Sequence, residues 1–239
     1  MVVRLDKFLV EAGVATRSEA TKLARAGLVL VNGKAERRCA SHIDPTVDTV
    51  TVKGQNIVYR EFTYVMLNKP EGYVSATEDE KFPTVLELLP EELQRIGLFP
   101  CGRLDRNTLG LMILTNNGPL SHKILAPKSH VSKVYYFKAE DNITDEDVER
   151  LQSGVDIGGY VTAPCEVELV NSKEGYITLH EGKYHQIKLM LKAVCNKIIY
   201  LERVKFGPVA LDTTLQRGEW RYLTDEEQKA LEEAGKIRV

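Results

Sequence analysis

The chain has 239 residues, 43% of them hydrophobic and 28% charged, with a net charge of −2. This composition suits a globular chain that buries a substantial core, and it excludes low-complexity disorder, collagen and a disulfide scaffold. A uniformly basic nucleic-acid binder is also excluded, but a local basic patch is not, because residues 1–60 carry +4 and the remainder −6. Arg4, Lys7, Arg17, Lys22, Arg25, Lys34, Arg37 and Arg38 make up most of that basic segment. No stretch approaches the roughly 18 apolar residues of a membrane span. The opening residues do not read as a signal peptide, since Asp6 and Lys7 interrupt any apolar run. Cys39, Cys101, Cys165 and Cys195 lack C-x-x-C spacing, so they are expected to be reduced thiols of a cytoplasmic protein, with no metal site.

In chain order, Leu5, Phe8, Leu9 and Ala12 repeat at helical spacing, and Gly13 suits the residue just past a helix end. Thr16-Arg17-Ser18-Glu19 is a capping box for a second helix, which runs to about Ala26 and stops at Gly27. Strands are expected at 28–31 and 49–52, with Asn32-Gly33 as a tight hairpin turn. Residues 54–62 read as a connection. The first domain is set at 1–58, the linker at 59–62 and a second domain at 63–239. In the latter, a strand begins at Tyr64 and is broken by the turn Asn68–Gly72, with short helices at 84–89 and 119–125. Strands follow at 133–139, 167–170 and 176–179. Helices are expected at 144–153, capped by Thr144, at 185–195, and at 224–235, capped by Thr224. Many strands without strict βαβ alternation indicate an α+β fold.

The segment Cys101 to Gly118 stands apart. A polar, glycine-bounded loop precedes an apolar run of strand length, and Asn117-Gly118 offers a turn after it. Asp105 sits on that loop, where a rigid strand would present it to solvent. Arg103 and Arg106 flank it and would favour its charged form, leaving a carboxylate competent as nucleophile or base. From spacing alone, Asp105 could equally stabilise a turn. Lys188 could be a solvated lysine on an amphipathic helix, and His185 a structural hydrogen-bonder.

Two resemblances sharpen these readings. Arg4-Leu5-Asp6-Lys7, Thr16 to Ala20 and Gly27 to Gly33 resemble the S4 RNA-binding domain, with Thr16 where that family usually has Ser. The resemblance implies that the second helix and the hairpin clasp structured RNA through its backbone, with the eight basic residues above as RNA contacts. Such contacts position a partner without reading its sequence. In the remainder, Gly102-Arg103-Leu104-Asp105, Thr108, Gly110-Leu111, Leu114-Thr115 and Gly118 resemble the central motif of the pseudouridine synthases, in their RsuA-type branch. Lys69–Tyr73, Lys133-Val134-Tyr135, Glu181–Met190, Leu201 and Arg203–Pro208 resemble its other motifs in the right order. Asn107, Leu109 and Leu189 depart from the common pattern.

The implied fold is a small S4-like αα-β domain followed by a pseudouridine synthase domain with a mixed, mostly antiparallel sheet and flanking helices. The implied activity is isomerisation of a ribosomal RNA uridine to pseudouridine, with uridine 516 of 16S rRNA as the target of the branch resembled. Asp105 would form a transient covalent bond, Tyr135 would stack on the base, and Lys188 would pair with the carboxylate. Arg103 would hold the nucleotide by its phosphate, and Leu201 would pack beside the site. The reaction is redox-neutral and imports no group, so no cofactor is expected. The expected partner is ribosomal RNA, in a small-subunit assembly intermediate, bound by a monomer. A 23S rRNA synthase of the same branch, a non-catalytic assembly factor and a carboxylate hydrolase that releases the base are the alternatives.

Overall fold

The computed structural model describes residues 2–126, 129 and 131–236. The chain forms two compact units, one of Met1–Thr63 with Leu89–Leu98, the other of Tyr64–Leu88 with Phe99–Val239. Among the described residues no helix is long and apolar enough to cross a membrane.

The first unit opens with β1 (Val3–Arg4), α1 (Leu5–Glu11) and α2 (Arg17–Arg25), then β2 (Val29–Val31), β3 (Lys34–Ala35), β4 (His42–Ile43), β5 (Val50–Val52) and β6 (Gln55–Ile57). Leu5, Phe8 and Leu9 are the buried face of α1, as their spacing requires, and Gly13 beyond it has φ +72°. The Thr16 capping box is closed in both directions, Thr16 Oγ1 accepting from Glu19 N and Glu19 Oε2 from Thr16 N. Asn32 and Gly33 both have positive φ, which a type I′ turn demands, and Lys53 and Gly54 repeat the device between β5 and β6. The four-stranded sheet runs β3-β2-β5-β6, and β1 pairs separately with β4.

The connection expected over 54–62 is therefore partly structured. Gln55–Ile57 pairs with β5. Tyr59 stacks on Phe8 with ring centroids 5.3 Å apart, and its hydroxyl donates to Glu11. The unit also takes in the later segment Leu89–Leu98, which holds α3 (Glu91–Arg95). Gly13 packs so tightly on that segment that a Cβ there would lie 2.3 Å from the Glu92 carbonyl oxygen.

The second unit is built on β7 (Tyr64–Lys69), β8 (Phe99–Pro100), β9 (Leu109–Thr115), α4 (Gly118–Leu125), β10 (Lys133–Ala139), α5 (Asp145–Ser153), β11 (Glu166–Asn171), β12 (Glu174–Leu179), α6 (Gln186–Ala193), β13 (Ile198–Phe206), β14 (Val209–Ala210), β15 (Trp220–Tyr222) and α7 (Asp225–Ala234). The sheet order is β11-β12-β10-β13-β9-β7-β15, with β14 on β13 and β8 on β9. Its pairings are antiparallel except β9 with β13, which makes the fold α+β with a mixed, mostly antiparallel sheet.

Two local expectations are corrected here. The strand at Tyr64 is not broken at Asn68 but continues through Lys69, fully buried. Asn117-Gly118 is not a hairpin turn, because the Asn117 side chain accepts from Leu120 N and caps α4. All four cysteines are free thiols.

Candidate active site

One row across the sheet sets the frame of the site. Ile177 on β12 pairs with Tyr135 on β10, Tyr135 with Arg203 on β13, Arg203 with Gly110 on β9, and Gly110 with Lys69 on β7. Side chains directly opposite on paired strands share a face. The parallel β9–β13 pair brings the start of β9, and so the loop before it, beside Arg203.

That loop carries Asp105, and its backbone is clamped from below. Lys69 is fully buried, and its Nζ donates to the carbonyls of Pro70, Asp105, Arg106 and Thr108 at 2.9–3.1 Å. Gly72 N donates to Arg106 O, and Ser75 Oγ exchanges hydrogen bonds with both backbone groups of Leu104. Burial pushes the Lys69 ammonium down to about 8, against an opposing pull from Asp105, with Arg203 and Lys188 adding to the downward push.

With its backbone held, the loop turns the Asp105 side chain toward α6. Lys188 Nζ donates to Asp105 Oδ2 at 2.6 Å and to Asn107 Oδ1 at 2.7 Å. His185 Nε2 lies 3.5 Å from Asp105 Oδ1. About a quarter of each side chain of the Asp105–Lys188 pair remains exposed, so the carboxylate is ordered yet reachable. Gln186, Ile187, Met190 and Leu191 are the buried face of α6, and anchoring them fixes Lys188 at its first turn.

Asp105 and Lys188 are thus brought together, 83 residues apart in sequence. Tyr135 is buried in the row of Arg203, with about a tenth of its surface exposed, whereas Tyr136 lies on the opposite face among Tyr176 and Tyr200. Leu201 is buried on β13 opposite Phe137. Arg103 is exposed. The flanking arginines do not supply the cation beside Asp105. The Arg106 guanidinium lies 4.3 Å from the centroid of the Phe82 ring, and Lys188 takes the ionic role.

Three residues stand at the site beyond those expected there: Lys69 and Arg203, which the motifs include without a role, and His185, read from the sequence as a structural hydrogen-bonder. Arg203 is 1% exposed, with Nε donating to Leu111 O and the guanidinium over the Phe206 ring. A charged residue inside an otherwise buried strand pattern was the available signal for Lys69 and Arg203. Among the described residues, no group of three or more His, Cys, Asp or Glu is placed to hold a metal ion.

In chemical terms, the loop offers one ordered carboxylate among cations, at a rim where a polyanion can approach. The basic residues Arg4, Lys7, Arg17, Lys22, Arg25, Lys34, Arg37 and Arg38 are all exposed on the first unit. Arg4 is engaged with Asp6, and Lys7 with Glu11.

Comparison with known proteins gives a consistent result. The sequence profile of the RNA pseudouridylate synthases matches residues 63–193, and that of the S4 domain matches residues 3–37. A Bacillus subtilis protein described as an uncharacterized RNA pseudouridine synthase, YtzG, is 45% identical over 97% of this chain and 99% of its own. The ribosomal small subunit pseudouridine synthase A of Vibrio cholerae is 39% identical over 94% of this chain and 97% of its own. That of Escherichia coli K12 is 36% identical over 94% and 98%. A crystal structure of a pseudouridylate synthase superposes with a TM-score of 0.68 at 35% identity, covering 96% of this chain and 99% of the other.

Proposed function

The chain belongs to the RNA pseudouridylate synthases and carries an N-terminal S4 domain, and from that premise we propose that it isomerises one uridine of small-subunit ribosomal RNA, uridine 516 of 16S rRNA in the branch it resembles. The observation that carries this reading is the Asp105–Lys188 pair, 2.6 Å apart, on a loop whose backbone is already immobilised. The names of the small-subunit relatives support that target over a 23S one.

The reaction breaks the N1–C1′ bond, turns the uracil and joins C5 to C1′. The C5 proton is lost and N1 gains one, so the product is an isomer of the substrate. The reacting atoms are inaccessible in a stacked helix, and the nucleotide must be extruded at a cost of a few kcal/mol. Stacking on Tyr135 offsets about 1–3 kcal/mol of that cost. Asp105 acts as the nucleophile, and the transient bond it forms as N1–C1′ opens is broken again as C5 joins C1′. Lys188 orients its carboxylate before the substrate arrives, so the geometry needs no reorganisation at the moment of attack. Leu201 lines the apolar side of the base site, and Arg103, exposed on the same loop, reaches the backbone phosphate. The S4 unit grips neighbouring RNA through Arg4, Lys7, Arg17, Lys22, Arg25, Lys34, Arg37 and Arg38. The protein acts as a monomer in the cytoplasm, on RNA in a small-subunit assembly intermediate.

The test is to map pseudouridines in ribosomal RNA from cells with and without the protein, and from cells carrying Asp105→Ala. Loss of one 16S pseudouridine in both the deletion and the variant supports the reading. Loss of a 23S site instead reassigns the target. Unchanged maps leave a non-catalytic assembly factor, and free uracil as product identifies a hydrolase.

A further inference from the structure

The segment leading into α6 carries an aromatic pair that the Asp105–Lys188 contact does not itself require. His185 turns a ring edge to Asp105, and Tyr184 covers the face of that ring, with centroids 3.8 Å apart and planes 20° from parallel. Tyr184 is 77% exposed, the most exposed of the large hydrophobic and aromatic residues among the described residues of the second unit.

This ring is mounted on a rigid loop. Lys183 N donates to Gln186 Oε1, and Gln186 Nε2 to Glu181 Oε1. Glu181 also accepts from the Tyr160 hydroxyl and from Ala163 N, which ties the loop to a second one. The Lys183 Nζ sits 4.2 Å from the Tyr160 ring centroid and remains exposed. A solvent-facing ring whose sequence neighbour is an exposed lysine offers the two surfaces a nucleotide needs, one for a flat base and one for a phosphate.

Extruding a uridine leaves its sequence neighbours without a stacking partner. We propose that Tyr184 is a substrate-positioning residue whose outer ring face stacks on a base flanking the extruded uridine, with Lys183 at the adjoining phosphate. This rests on the RNA reading above and extends it to a second nucleotide. The inner face of Tyr184 lies on His185, which itself faces Asp105, so a base docked there is referenced to the reacting carboxylate through one stacked ring.

The experiment uses the full-length protein and an RNA fragment spanning the uridine mapped in cells, with 2-aminopurine replacing each flanking base in turn. Wild type and Tyr184→Trp quench one of the two probes. Tyr184→Ala binds about five- to 160-fold more weakly and abolishes the quench. Equal affinity and an unchanged quench in Tyr184→Ala overturn the proposal. So does a rate loss at saturation with affinity and quench intact, which identifies Tyr184 as a prop for His185. Wild type that makes no pseudouridine in that RNA sinks the functional reading itself and the platform with it. An active wild type whose affinity and quench are matched by Tyr184→Ala sinks the platform alone.

Discussion

Gly110 and Arg203 face each other across the parallel pair at the centre of the second unit, so close that a Cβ on Gly110 would stand 2.4 Å from the Arg203 carbonyl oxygen and 3.0 Å from its nitrogen. Gly110 also has φ +93°, a conformation that side-chain-bearing residues rarely adopt. Both faults would appear together in Gly110→Ala. Backbone strain and overpacking each cost about 1–3 kcal/mol. The variant should therefore lose roughly 2–6 kcal/mol in urea unfolding, with the Asp105 loop displaced and turnover lost. A variant of wild-type stability and activity would show that the strand pair can slide apart at no cost.

The Asp105–Lys188 pair makes a sharper prediction about chemistry. Asp105→Asn keeps the shape of the side chain and should give no pseudouridine, while RNA affinity is retained. Lys188→Met should lower the single-turnover rate by about 10²–10³-fold, the usual cost of removing one preorganised polar group. Lys188→Arg, which keeps a cation at Asp105, should fall between wild type and Lys188→Met. Turnover in Asp105→Asn near the wild-type rate would exclude a covalent role for this carboxylate.

Lys69 gives a pH signature of stability. Its ammonium, fully buried, releases its proton near 8, against 10.5 for the ordinary group. Between those values the unfolded chain binds the proton and the folded chain does not. Unfolding free energy should therefore rise with pH across that window, by about 1.4 kcal/mol per unit from this group. Below about pH 8 both states are protonated and the contribution is flat. Comparing wild type with Lys69→Met in urea at several pH values isolates it. The variant should be weaker throughout, because four carbonyls lose their donor, and it should lack the slope. Parallel curves for the two proteins would refute the assignment.

The basic face of the first unit predicts a salt effect. Lys22 and Arg25 stand exposed near the end of α2, and neutralising both should release fewer counterions on binding. The slope of log K against log salt should fall in magnitude by about 1.4–1.8 for the double Ala variant. Affinity should drop for matched and unrelated RNA alike, since phosphate contacts carry no sequence information. An unchanged slope would place the RNA elsewhere.

Local signals in the sequence translated directly into local structure. The capping boxes at Thr16, Thr144 and Thr224 each opened a helix where the side-chain spacing placed it, because a cap is decided within four residues. The proximity of Asp105 to Lys188 had no such local signature. It came from motif resemblance, and only the folded sheet supplies the distance. The clamping role of Lys69 was not legible because a lysine at a strand end ordinarily points to water, and the four carbonyls that hold it belong mostly to a loop some 40 residues on. Strands β1 and β4 are two residues each, too short to show a period. The alternation of β13 is broken by two register shifts against β10. Asn117-Gly118 carries the letters of a turn and of a helix cap equally, and the apolar run behind it decides for the cap.

The return of Leu89–Leu98 to the first unit has a bearing on biogenesis. During synthesis the first unit cannot be completed when residue 63 leaves the ribosome. The Glu92 carbonyl against which Gly13 packs is made only after β7 has already emerged. Nascent chains arrested before residue 98 should therefore hold an unfinished first unit. Its protection from protease should appear in one step as that residue clears the exit tunnel.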